Sequence, residues 1–203
     1  MVSYLWYKKC LDRFVESEHP RDEDGKFTDT NSNSPKTLGD ILKENKNNSF
    51  SSRRIENGVK KIHLPEKEAT KCAEAIEEYT RNMFTDKTDL INKAIYNSDS
   101  YNEKTYSGIE KEFDADLNVG DEIGGRLISW SKSEDVAKDF AQKSSKKILI
   151  IDKNPGLDIS DISYEPEEQE VLTATTMSFV VTDIQENNGF KKIFVKYTGN
   201  KGK

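Results

Sequence analysis

The chain has 203 residues, of which 33% are charged and 33% hydrophobic, and its formal net charge is −6. That length suits one domain with appendages or two small domains. The acidic balance argues against a general nucleic-acid binder, whose footprint is a basic patch or stripe, and no apolar run approaches the ~18 residues that suggest a membrane span. The lean hydrophobic fraction points to an ordinary domain diluted by a polar segment.

The first element in chain order is an amphipathic helix. Tyr4, Tyr7, Cys10, Leu11, Phe14 and Val15 recur at helical spacing, which marks residues 1–18 as a helical segment. Lys8, Lys9, Asp12 and Arg13 interrupt the apolar run too early for a signal peptide. His19-Pro20 ends the helix, because the residue before proline is pushed out of the α region. Residues 19–58 are polar, rich in Asn, Ser, Asp and Lys, and read as linker, with one or two helical turns available around Leu38, Ile41 and Leu42.

A denser domain is expected over residues 59–203. Pro65 opens a helix over 65–84 with Ala69, Cys72, Ala73, Ile76, Tyr79 and Met83 along one side. Thr85 or Asp86 would cap a second helix carrying Leu90, Ile91, Ala94 and Ile95. Short β-runs follow at 105–109, 127–131, 148–151, 170–174, 177–183 and 192–197, interrupted by a helix over 133–142 with Val136, Ala137, Phe140 and Ala141 on its buried face. Helices first, then mostly strands, is an α+β arrangement rather than an alternating βαβ one. Cys10, Cys72, His19 and His63 stand alone in sequence and offer no metal-ligand cluster, so no metal is expected and a reducing compartment is consistent.

Two polar patterns stand out among the strands. Glu168-Gln169-Glu170 and Ser129-Trp130-Ser131 each place two polar side chains on one face of an extended chain. Strand rise would set the two carboxylates about 6.7 Å apart and side by side. Carboxylates beside Val171, Leu172 and Phe179 suggest a group that holds developing positive charge or moves a proton.

The order of pieces has a family resemblance over residues 65–200. Tyr106-Ser107-Gly108-Ile109, Val119-Gly120-Asp121-Glu122-Ile123, Ser129-Trp130-Ser131, Asp135-Val136-Ala137-Lys138-Asp139-Phe140-Ala141, Ile159-Ser160-Asp161-Ile162-Ser163-Tyr164 and the Glu-x-Glu follow one another before a final strand pair. This order resembles the mono-ADP-ribosyltransferase exoenzymes, in the clade named for its Arg, Ser-x-Ser and Glu-x-Glu motifs. Upstream, His19-Pro20-Arg21-Asp22-Glu23-Asp24-Gly25-Lys26-Phe27-Thr28 resembles the linker before an accessory domain in bacteriophage head-morphogenesis proteins, and also reads as a charged turn on Asp24-Gly25.

The family resemblance implies a two-sheet β core with a helical N-terminal lead-in, and NAD as substrate. It implies transfer of ADP-ribose to arginine on a protein, and the linker resemblance adds a phage-encoded enzyme acting on a bacterial protein in the bacterial cytoplasm, or one that is secreted or carried on a phage head. Glu170 would stabilise the oxocarbenium-like ribose, Ser129 would hold Glu170, and Ser131 would support the same wall. Glu168 would orient the acceptor guanidinium, and Tyr164 either meets the target protein or packs on its own domain. One position departs from the pattern. Where the family clamps the NAD phosphates with arginine, this chain has Ser107, which carries no charge. Gly108 would offer its backbone to the nicotinamide, and Arg126, which strand parity turns away from the serines, is the available substitute cation. The departure also supports a different class of function, a non-catalytic module of the same fold that binds a partner or a phage particle.

Overall fold

The computed structural model describes residues 49–82, 85–109 and 116–200. The expected helix at 1–18, the polar stretch up to residue 48 and the phage-linker-like run lie outside the described residues, as does Met83.

Three helices lead in: α1 (Ser49–Lys61), α2 (Glu66–Asn82) and α3 (Thr88–Tyr96). α1 begins inside the stretch expected to be linker. Its buried side is written mostly in small residues, Ser51, Ser52 and Gly58, with Ile55 and the following Ile62 as apolar anchors. Ordinary hydrophobic periodicity therefore understates it. A Cβ on Gly58 would come 2.6 Å from the Cβ of Ala73, so the absence of a side chain there lets α1 lie directly on α2. α2 buries Ala69, Cys72, Ala73 and Ile76 as its periodicity predicts. The cap of α3 differs from expectation. Lys87 holds the N-cap position, and Thr85 Oγ1 accepts from the Lys87 amide just ahead of the helix.

The strands are β1 (Thr105–Ile109), β2 (Glu122–Gly124), β3 (Ile128–Ser131), β4 (Lys147–Ile151), β5 (Leu157–Asp158), β6 (Glu170–Thr173), β7 (Met177–Asn187) and β8 (Phe190–Asn200), with α4 (Glu134–Gln142) between β3 and β4. The α+β class is as expected. β2 and β5 are short additions that no apolar run announces.

Hydrogen bonding joins the strands in the order β2-β7-β8-β4-β1-β3-β6-β5, antiparallel throughout except for β4 with β8. β3 and β7 are four steps apart in that order, roughly 19 Å along a flat sheet. Yet Trp130 of β3 and Phe179 of β7 have ring centroids 5.6 Å apart. The sheet therefore folds over on itself, and its two halves face each other across a core of Trp130, Phe179, Val171, Val181 and Ile193. Register shifts in β7 at Ser178/Phe179 and Val181/Asp183 supply local bends. The two packed sheets implied by the resemblance are thus two halves of one ladder.

α4 covers a second, smaller core. Ser133 caps it, accepting from the Val136 amide. Ala137 and Ala141 pack on Ile148 and Ile150, whereas Phe140, expected on the buried face, is exposed. β1 meets this helix through Gly108. A Cβ there would overlap the Ala137 carbonyl oxygen and come within 2.9 Å of the Ala141 nitrogen.

Candidate active site

The site is built where β3 and β6 run side by side. Their register pairs Ser131 with Glu170 and Ser129 with Leu172. Paired residues of an antiparallel ladder share a face, so Ser129, Ser131 and Glu170 lie together on the face opposite Trp130 and Val171.

Glu168 is not on the strand. Expected beside Glu170 on an extended chain, it ends a 3-10 turn over Pro166–Glu168, and Gln169 follows in the left-handed region at φ 49. Pro166 at the first turn position favours this path. Two bonds from the end of β3 hold it: the Ser131 hydroxyl donates to the Glu168 carbonyl at 2.8 Å, and the Lys132 amide donates to the Gln169 carbonyl at 3.1 Å. Ser131 Oγ also accepts from the Ser133 amide at 3.0 Å. Ser131 is thus a buried latch tying β3, the start of α4 and the Glu168 turn together.

Glu170 is buried, on the same face as the Ser129 hydroxyl. Burial pushes its carboxyl up to about 7, the Ser129 hydroxyl pulls the other way, and the charge of Glu168 adds to the rise. Ser129 itself is exposed. Its backbone carbonyl accepts from the Ser107 hydroxyl at 2.8 Å, and its Oγ lies 3.2 Å from the Tyr79 hydroxyl of α2.

Ser107, at the expected arginine position, thus spends its hydroxyl on the neighbouring strand. Gly108 abuts α4, which gives its missing side chain a packing reason. Arg126 is half-buried in the bend between β2 and β3, ahead of the first residue of β3, so strand parity does not govern where it points.

Tyr164 is exposed, but its backbone and ring are both held. Its amide donates to Thr80 Oγ1 at 3.0 Å, and the guanidinium groups of Arg54 and Arg81 lie 5.2 and 5.8 Å from the ring centroid. Both arginines bind the buried Glu77, at 2.8 and 2.5 Å. Burial alone would raise that carboxyl, but the two cations hold it below its ordinary value. Tyr79, Thr80, Arg54 and Arg81 had no signal of their own in the sequence. Tyr79 reads as one more apolar-face residue of a helix, and its partner is fifty positions away.

Among the described residues no group of His, Cys, Asp and Glu could hold a metal ion, and no helix is long and apolar enough to cross a membrane. No family model and no curated protein sequence matches the chain. Solved structures do. Exoenzyme S from Pseudomonas aeruginosa, in complex with human 14-3-3 protein beta and bound to carba-NAD, aligns with a TM-score of 0.54 at 18% identity, covering 78% of this chain and 86% of that one. The fold is that of the ADP-ribosyltransferases. Vis, an ADP-ribosyltransferase from Vibrio splendidus, aligns with a TM-score of 0.51 at 18% identity, over 84% of this chain and 88% of that one. Plx2a, an ADP-ribosyltransferase toxin from Paenibacillus larvae, gives 0.50 at 19% identity, over 73% and 96%.

Proposed function

We propose that this chain is an NAD-dependent mono-ADP-ribosyltransferase that modifies arginine on a protein target. The observation that carries the reading is Glu170, buried on the serine-bearing face of the β3–β6 pair with the Ser129 hydroxyl acting on its carboxyl, in a fold shared with ADP-ribosyltransferases. NAD is the substrate. Breaking its bond between nicotinamide and ribose releases neutral nicotinamide and leaves positive charge on the ribose. An ionised Glu170, already desolvated and already oriented, stabilises that charge without having to reorganise. The guanidine nitrogen then attacks the anomeric carbon and gives up a proton. Glu168, which lies outside the strand on its own turn, is the residue we assign to the acceptor, because a carboxylate is the partner a guanidinium pairs with best.

The residues fit the ribose end of NAD better than its phosphates. A carboxylate and hydroxyl groups suit ribose hydroxyls, whereas Ser107 supplies no charge to a phosphate. Arg126 is the cation we assign to that role, with the Gly108 backbone near the nicotinamide. Tyr164, fixed but exposed, is the proposed contact for the target. The phage-linker-like run around His19 to Thr28 supports a phage-encoded enzyme acting on a bacterial protein in the bacterial cytoplasm.

Ser107 favours the second reading, a module of the same fold that binds a partner or a phage particle without turning over NAD. Incubating the purified chain with labelled NAD and a bacterial lysate separates the two. The enzyme reading predicts label on a protein, located on arginine by mass spectrometry, and release of nicotinamide. Neither label nor nicotinamide, with the fold intact, leaves the binding module.

A further inference from the structure

Ser129 is held from three sides, and one of them comes from outside the β core. Its carbonyl takes the Ser107 hydroxyl, its hydroxyl shares a face with the Glu170 carboxyl and pulls that group's pKa down, and its Oγ lies 3.2 Å from the Tyr79 hydroxyl on α2. A serine hydroxyl has one proton and two lone pairs. Once that proton is given to the Glu170 carboxylate, Ser129 Oγ can only accept from Tyr79. The direction of the chain is then fixed: Tyr79 donates to Ser129, and Ser129 donates to Glu170. Consecutive donors of this kind polarise one another and strengthen the last bond in the row.

We propose that Tyr79 is a positioning residue of the active site, orienting the Ser129 hydroxyl toward Glu170 and stabilising its ionised form from the helical lead-in. The next residues of α2 point to the same division of labour. Thr80 accepts from the Tyr164 amide and Arg81 lies against the Tyr164 ring, so one helical turn reaches both the carboxylate and the loop beside it. The charged group that acts on Glu170 is Glu168, on the turn before β6. Asp158, on the strand beside β6, is paired with Lys132 at 2.5 Å. Tyr79 is thus an uncharged donor in a row otherwise opposed by burial and by a like charge.

The catalytic meaning of this row rests on the transferase reading, but its test does not. In the full chain labelled with carbon-13 at glutamate carboxyls, the Glu170 resonance gives its titration midpoint directly. Tyr79→Phe should raise that midpoint by about half a unit or more, the size expected when a bond to the charged form is lost. Tyr79→Leu should do the same, which separates the hydroxyl from the ring. Ser129→Ala should raise the midpoint further, and Tyr79→Phe made on top of it should then add nothing, because its effect passes through Ser129. An unmoved midpoint in both Tyr79 variants, or additive shifts in the double variant, would overturn the proposal. With nicotinamide release measured alongside, Tyr79→Phe should move the acid limb of the kcat profile upward by the same amount and leave KM for NAD little changed. A titration that behaves as described in a protein without turnover would sink the transferase reading and leave the network standing.

Discussion

Glu170 sits where burial and function pull against each other. Its carboxyl titrates near 7 instead of 4.5 because desolvation outweighs the pull of the Ser129 hydroxyl. Below about pH 4.5 it is neutral in folded and unfolded chains alike, and its burial carries no charge penalty. As the pH rises toward 7 and beyond, the unfolded chain ionises first and stability is lost. Glu170→Gln should therefore remove a loss on the order of 3 kcal/mol between pH 4.5 and pH 8, read by denaturant titration at the two values. A stability difference between variant and parent that does not change with pH would mean that Glu170 is solvated. Ser107 is tested at the same scale. Ser107→Arg should tighten NAD binding by about ten- to a hundredfold if phosphate contact is what the chain lacks, since a bond to a charged group contributes roughly 1.5–3 kcal/mol. If Arg126 already makes that contact, calorimetry should show little change in Ser107→Arg and loss of binding in Arg126→Ala. Glu168→Gln should slow transfer to arginine more than NAD hydrolysis, because water needs no guanidinium partner, and equal losses would contradict separate roles for the two carboxylates.

The elements that carry an apolar period are legible in the sequence, and those that lack one are not. β1 and α4 lie where their residues predict, because Thr105–Ile109 and Ser133 with Ala137 and Ala141 pair a regular pattern with a clear start. α1 was hidden because Ser51, Ser52 and Gly58 line its buried side, and tight helix contact favours small residues that no hydrophobic count rewards. β2 and β5 are too short to show a period. The Glu168 turn reads as strand in the sequence because Glu-x-Glu satisfies the strand alternation, and only Pro166 two positions earlier signals otherwise. The packing of Gly108 against α4 is a sufficient reason for a glycine there. Gly108→Ala should force α4 off β1 and cost about 1–3 kcal/mol in thermal or denaturant unfolding, the range for overpacking a close contact. A neutral effect would show that α4 shifts freely.

At the scale of the molecule, the α+β class is legible in the sequence, but how distant segments meet is not. The contact of Trp130 with Phe179 across four strand positions and that of Tyr79 with Ser129 across fifty residues are products of the closed sheet and the packed lead-in, and neither leaves a local pattern. The fold buries one carboxylate on the strand face that carries two serines. Whether that carboxylate breaks the nicotinamide–ribose bond is the central claim, and one rate decides it. Nicotinamide release from NAD at saturating concentration and pH 8, where Glu170 is mostly ionised, should fall by about 10²–10³ in Glu170→Gln, the scale for removing a fixed electrostatic stabiliser. A folded Glu170→Gln protein that releases nicotinamide within a few-fold of the parent rate, or a parent that releases none, would contradict it.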